Sequence, residues 1–103
     1  MAYMLRFVQR FRISEECAFL ELEKQFAELE RANPSMPQGT RMRPVSGREP
    51  GHTLVWECRF ASMHDLNGAL ETLGHSDEHT RLFAQQSPLM TESFTEIYEL
   101  LDL

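Results

Sequence analysis

The sequence predicts one α+β domain over residues 1–103, with elements in the order β-α-β-β-α-β and the second helix broken in two. Three observations carry this. Alternation with period two marks residues 3–13 and 52–61 as strands. Phe19, Leu22, Phe26 and Leu29 recur at helical spacing between them. Dense turn chemistry, Ser46-Gly47-Arg48-Glu49-Pro50-Gly51, joins a weak strand to the strong one that follows.

In the first strand Leu5, Phe7, Gln9, Phe11 and Ile13 share one face, and Met4, Arg6, Val8, Arg10 and Arg12 the other. One side is greasy and the other cationic. Ser14 stands where a helix N-cap belongs, with Glu15 and Glu16 suited to the first turn. Cys17, Ala18 and Leu20 widen the apolar stripe of that helix. Glu21, Glu23, Lys24, Glu28 and Glu30 are assigned to its solvent side, and Asn33-Pro34 stops it. Residues 40–45 read as an edge strand because they contain Pro44. Residues 52–61 put His52, Leu54, Trp56, Cys58 and Phe60 on one face and Thr53, Val55, Glu57, Arg59 and Ala61 on the other.

Ser62 caps the next helix, with Asp65 in its first turn, and Leu66, Ala69, Leu70 and Leu73 form its apolar face. Gly74 reads as its C′ residue. Ser76-Asp77-Glu78 starts a second short helix with Leu82 and Phe83 inward, and Ser87-Pro88 ends it. Residues 91–103 close the chain as a strand, Phe94 and Tyr98 on one side and Ile97 and Leu101 on the other. This order is the ferredoxin-like βαββαβ arrangement, a four-stranded antiparallel sheet with helices on one face.

The net charge of −6 is uneven. Residues 1–50 carry eight cations against seven acids, and residues 51–103 carry two against nine. This charge argues against nucleic-acid binding, which needs clustered cations. A topologically similar RNA-binding module would need aromatics on the open sheet face, where this chain has Arg6, Val8, Arg10, Val55, Glu57 and Arg59. No apolar run is long enough to span a membrane, and the N-terminus shows no secretory pattern, so the expected location is cytoplasmic. Cys17 and Cys58 then read as reduced thiols. No phosphate-binding glycine loop, dinucleotide motif or nucleophile elbow is present.

His75 and His79 have the i, i+4 spacing of paired ligands, but a helix break at Gly74 and Ser76 separates them and no cysteine is near, so no metal site is assigned. As lone acid–base groups they are the candidate catalytic residues. His52 and His64 read as surface residues. Trp56, Phe7, Phe26 and Phe83 are candidate pocket-lining residues, with core packing as the plainer role. Arg6, Arg10, Arg12, Arg59 and Glu57 form the most polar sheet constellation. Arg10, Arg59 and Glu57 could hold a carboxylate or phenolate, and ion pairing inside a dimer is the preferred reading. Tyr98 could hydrogen-bond a ligand. Val8, Val55 and one of Met42 or Val45 make the open face half apolar, which suits a homodimer interface.

The run Leu54-Val55-Trp56-Glu57-Cys58-Arg59-Phe60, then Ser62, Ala69-Leu70, Ser76-Asp77-Glu78-His79 and Leu82-Phe83, resembles the dimeric α/β-barrel superfamily. Within it the likeness is to antibiotic-biosynthesis-monooxygenase-like and NIPSNAP-like domains, and it covers nearly the whole chain. The resemblance implies two sheets packed face to face and a small organic ligand between sheet and helices, with no cofactor. It also implies a cofactor-independent monooxygenase, isomerase or cyclase; the alternative is a non-catalytic dimeric ligand-binding or interaction protein. Haem-degrading relatives carry an asparagine on the first strand, a tryptophan ending the third and a histidine in the next helix. This chain has Gln9, Phe60 and no histidine around Ala69, so haem degradation is not implied.

Overall fold

The two longest apolar alternations become the middle of one antiparallel sheet. In the computed structural model, which describes all 103 residues, strand β1 (Ala2–Phe11) is flanked by β3 (Thr53–Phe60) and β4 (Met90–Leu100). Strand β2 (Thr40–Met42) adds the outer edge, giving the order β2-β3-β1-β4. Helices α1 (Glu16–Ala32), α2 (Met63–Gly74) and α3 (Asp77–Gln86) provide the βαββαβ order with its second helix in two pieces.

Register decides which side chains meet. Arg41 pairs with Trp56, Trp56 with Phe7, and Phe7 with Thr95, so these four form one row across the helix-facing side. The next row along the strands, Met42, Val55, Val8 and Phe94, faces the other way. Under the helices, Leu5, Trp56, Cys58 and Leu66 pack together at one end, and Phe11, Phe19 and Leu54 at the other. Burying each large apolar side chain contributes about 1.5–3 kcal/mol relative to leaving it in water.

Two helix starts follow the sequence. Ser62 Oγ accepts from Asp65 N at 3.1 Å, and Ser76 Oγ accepts from His79 N at 3.2 Å. Several local expectations are corrected. Ser14 does not cap α1: the chain makes a tight turn over Ile13–Glu15, and the helix starts without a side-chain cap. Arg12 N is tied to Leu89 O at 3.0 Å, which turns the chain away from the sheet and leaves Ile13 exposed. Cys17 and Ala18 are also exposed. Gly74 stays helical, and His75 follows in an ordinary right-handed conformation. The only left-handed glycine is Gly47, in the loop after β2. That strand ends at Met42, before Pro44, and Val45 projects wholly into solvent. The closing strand ends at Leu100, beyond which Leu101 is exposed.

The open face is not bare. Arg10 donates to both carboxylate oxygens of Glu49, at 2.9 and 3.1 Å, tethering the loop after β2 to β1. Val8 and Val55 are thereby almost fully covered.

Candidate functional site

The helix-facing row of the sheet is the floor of a cavity of about 340 Å³. Phe7 and Trp56 stack on that floor, ring centroids 5.0 Å apart. Helix α1 contributes Phe26 and Leu29, α2 contributes Leu70 and Leu73, and α3 contributes His79, Thr80 and Phe83. Phe83 is not inward in the sense expected of a core residue. It is 42% exposed, at the rim, because α3 is short and its buried face is taken by Leu82 and Gln86.

One wall of the cavity is ionic, and the pattern reading missed it. Glu23 and Glu30, assigned to solvent, are buried. They share the α1 face of Phe19 and Phe26: the four buried positions of that helix are Phe19, Glu23, Phe26 and Glu30. Spacings of four, three and four make one continuous stripe. Arg41, from the edge strand, lies between the two carboxylates. Its Nε donates to Glu23 Oε2 at 2.5 Å and its Nη2 to Glu30 Oε2. Glu30 Oε1 accepts from Gly39 N at 3.1 Å and from the Trp56 indole at 3.3 Å. Glu23 Oε1 accepts from Gln86 Nε2 at 2.9 Å. Burial opposes the Arg41 charge, but its hydrogen bonds and the charges of Glu30 and Glu23 outweigh this and hold its pKa above the ordinary value.

Gly39 is required by this arrangement. A Cβ there would lie 1.9 Å from the Trp56 indole, so only a glycine lets the loop pass over the ring while donating to Glu30.

His79 lines the cavity with its ring 5.0 Å from Phe26, edge to face. Burial pushes its pKa below the usual imidazole value, while Glu30 and Glu23 pull it back up. The balance leaves a neutral ring at neutral pH, able to accept a proton. His75 is exposed and lies outside the cavity lining. Cys58 is buried behind the floor, its thiol pushed up by burial and then by Glu30. No group of three or more His, Cys, Asp or Glu is placed to hold a metal ion, and no helix is long and apolar enough to cross a membrane.

The remaining expected ligand contacts lie elsewhere. Arg10 and Tyr98 line a separate groove on the open face. Glu57 is on that face too, 2.8 Å from Arg6 Nε, a contact of charges without hydrogen-bond alignment. Tyr98 sits under the Arg6 guanidinium at 5.8 Å. Arg59 is exposed and joins neither group. Strand alternation separates these residues from Trp56 by the thickness of the sheet.

No family model and no curated protein matches the sequence. Solved structures do match. A NIPSNAP family protein from Agrobacterium tumefaciens superposes with a TM-score of 0.80 at 16% identity, covering 99% of this chain and 95% of that one. The chain shares the ferredoxin-like βαββαβ fold of that protein. A candidate antibiotic biosynthesis monooxygenase from Caulobacter crescentus matches with a TM-score of 0.75 at 16% identity, over 98% of this chain and 91% of that one. An uncharacterised NIPSNAP domain protein from Burkholderia xenovorans gives 0.75 at 13%, over 98% and 95%. At these identities the likeness is one of fold, and activity has to be argued from the cavity.

Proposed function

We propose that the chain handles a small organic molecule in the Trp56 cavity, with His79 as proton acceptor, and acts as a cofactor-independent monooxygenase, isomerase or cyclase. The observation that carries this is an open aromatic cavity containing a single, partly desolvated imidazole. Had Phe7, Phe26, Trp56 and Phe83 filled the space, no such reading would stand. The three activities can share a first step, removal of a proton from an acidified C–H or O–H, which a neutral imidazole near its operating pH performs well. An enzyme of this kind begins without a metal or a bound redox group.

The rival reading is a non-catalytic binding protein. It is favoured by the packing of the His79 ring, which rests on Phe26 instead of being oriented by a carboxylate. The two are separated with β-tetralone, an aromatic ketone with acidic C–H bonds, in deuterated water. The catalytic reading expects Trp56 fluorescence to change on binding and the protein to accelerate exchange at the acidic carbon. His79→Gln should then reduce that acceleration about a hundredfold or more. Binding without accelerated exchange supports the rival. Since Trp56 is the chain's only tryptophan, its emission reports on the cavity alone.

We further propose a homodimer through the open sheet face. Met42, Phe94 and Tyr98 leave apolar surface on that face, and the Arg6–Glu57, Arg6–Glu96 and Arg10–Glu92 pairs neutralise charge beside it. Proteins of this fold are typically dimeric. Sedimentation at twice the chain mass is expected, and a monomer at high concentration overturns this part.

A further inference from the structure

The cavity has a chemical polarity that selects among ligands. Two carboxylates, Glu23 and Glu30, face one guanidinium, Arg41, so the ionic wall carries one excess negative charge. An ionised carboxylate has about four acceptor sites. Glu23 uses two, for Gln86 and Arg41, and Glu30 uses three, for Gly39, Trp56 and Arg41. Acceptor capacity is left over on both.

Gln86 adds an independent observation. It is fully buried and belongs to the cavity lining. Its Nε2 donates to Glu23 Oε1 at 2.9 Å and toward Phe19 O at 3.4 Å, which fixes which end of the amide is which. Its Oε1 then has no donor at all. An unpaired buried acceptor is costly; closed off from solvent, it acts on a ligand through its dipole, which adds negative potential to the wall. Aromatic rings adjoin this wall: Trp56 donates to Glu30, Phe26 shares the helix stripe of the two glutamates, and Phe7 stacks on Trp56, and ring faces attract cations.

We propose that the cavity takes a molecule joining an aromatic or other apolar body to a protonated amine, the ammonium directed to the carboxylates of Glu23 and Glu30. An ammonium brings three donors and one positive charge, matching the spare acceptors and the excess charge together. A carboxylate or phenolate would have to approach two glutamates for the sake of the N–H groups Arg41 has left. This inference rests on the small-molecule reading above and specifies its substrate class.

The test is a series with one body and three head groups, phenylbutylamine, phenylbutanol and phenylbutyrate. Each is titrated at neutral pH into the intact protein, with Trp56 emission and calorimetry as readouts. The amine should bind tightest and the carboxylate weakest, the two differing by at least about tenfold in Kd. Glu23→Gln, which removes the excess charge, should shrink that ratio about tenfold. A carboxylate that binds as tightly as the amine overturns the head-group inference and leaves the cavity reading standing. Failure of all three to bind overturns both. The order among the wild-type titrations decides the matter even if Glu23→Gln does not fold.

Discussion

The two faces of the sheet use the same ion chemistry in opposite surroundings. Toward the helices, one arginine is held between two glutamates with side-chain exposures of 20% for Arg41, 9% for Glu23 and 11% for Glu30. On the open face, Arg6 and Arg10 meet Glu57, Glu96, Glu49 and Glu92 in partly solvated pairs, up to 50% exposed at Glu92. Coulomb attraction between unit charges at about 4 Å grows from about 1 kcal/mol in bulk water to about 4 kcal/mol at an effective dielectric of about 20. The buried cluster therefore fixes geometry, and the open one mainly fixes charge balance. Only the first surrounds a cavity with one side left unsatisfied.

Removing Arg41 should expose the contrast most sharply. Arg41→Met leaves two buried carboxylates without their cation and is expected to destabilise the fold by about 3–5 kcal/mol in urea unfolding. A loss under about 1 kcal/mol would place the cluster energetically with the open-face pairs. Gly39→Ala comes next. The added methyl cannot coexist with the Trp56 indole where it stands, so a cost of about 1–3 kcal/mol is expected. A shift of Trp56 emission should accompany it, and unchanged emission would mean that the ring had not moved.

The third expectation concerns His79. Its imidazole should titrate below the ordinary value of 6.5, followed by NMR at the ring protons. Because Glu30 and Glu23 raise that pKa against the effect of burial, Glu30→Gln should lower the midpoint further. The stability sign follows from linkage. The unfolded chain binds the proton first, so stability is full above about pH 6.5 and falls as the pH drops below it. The loss levels off once the folded protein is protonated too. A midpoint above 6.5 would mean that the carboxylates outweigh burial. The smallest effect is expected on the open face: Glu96→Gln should change stability by less than about 1 kcal/mol at low protein concentration, and less still in high salt.

Much of this contrast could be read in the alternation of the strands. Residues such as Phe7 and Trp56, or Arg6 and Glu57, sort to their faces because a period of two leaves no choice once the core side is known. The order of elements and the broken second helix follow from Ser62, Ser76 and the apolar spacing between them. What could not be read was the ionic wall. Glu23 and Glu30 continue the stripe of Phe19 and Phe26, but a rule that sends charge to solvent assigns them outward, and their cation lies on another element. Arg41 sits on a three-residue strand with no pattern of its own, and Gln86 looks like any polar residue near a helix end. A glutamate at an i, i+4 position inside an aromatic stripe was the available signal. The break between His75 and His79 was legible in Gly74 and Ser76, and Ser76 does cap the helix that carries His79.

A crystal structure of the protein with phenylbutylamine would show whether the cavity between sheet and helices is the working site. Density is expected for the phenyl group beside Trp56 and Phe26, with the ammonium near Glu30 and Glu23. Density confined to the open-face groove, or a cavity closed by its own side chains, would contradict that role.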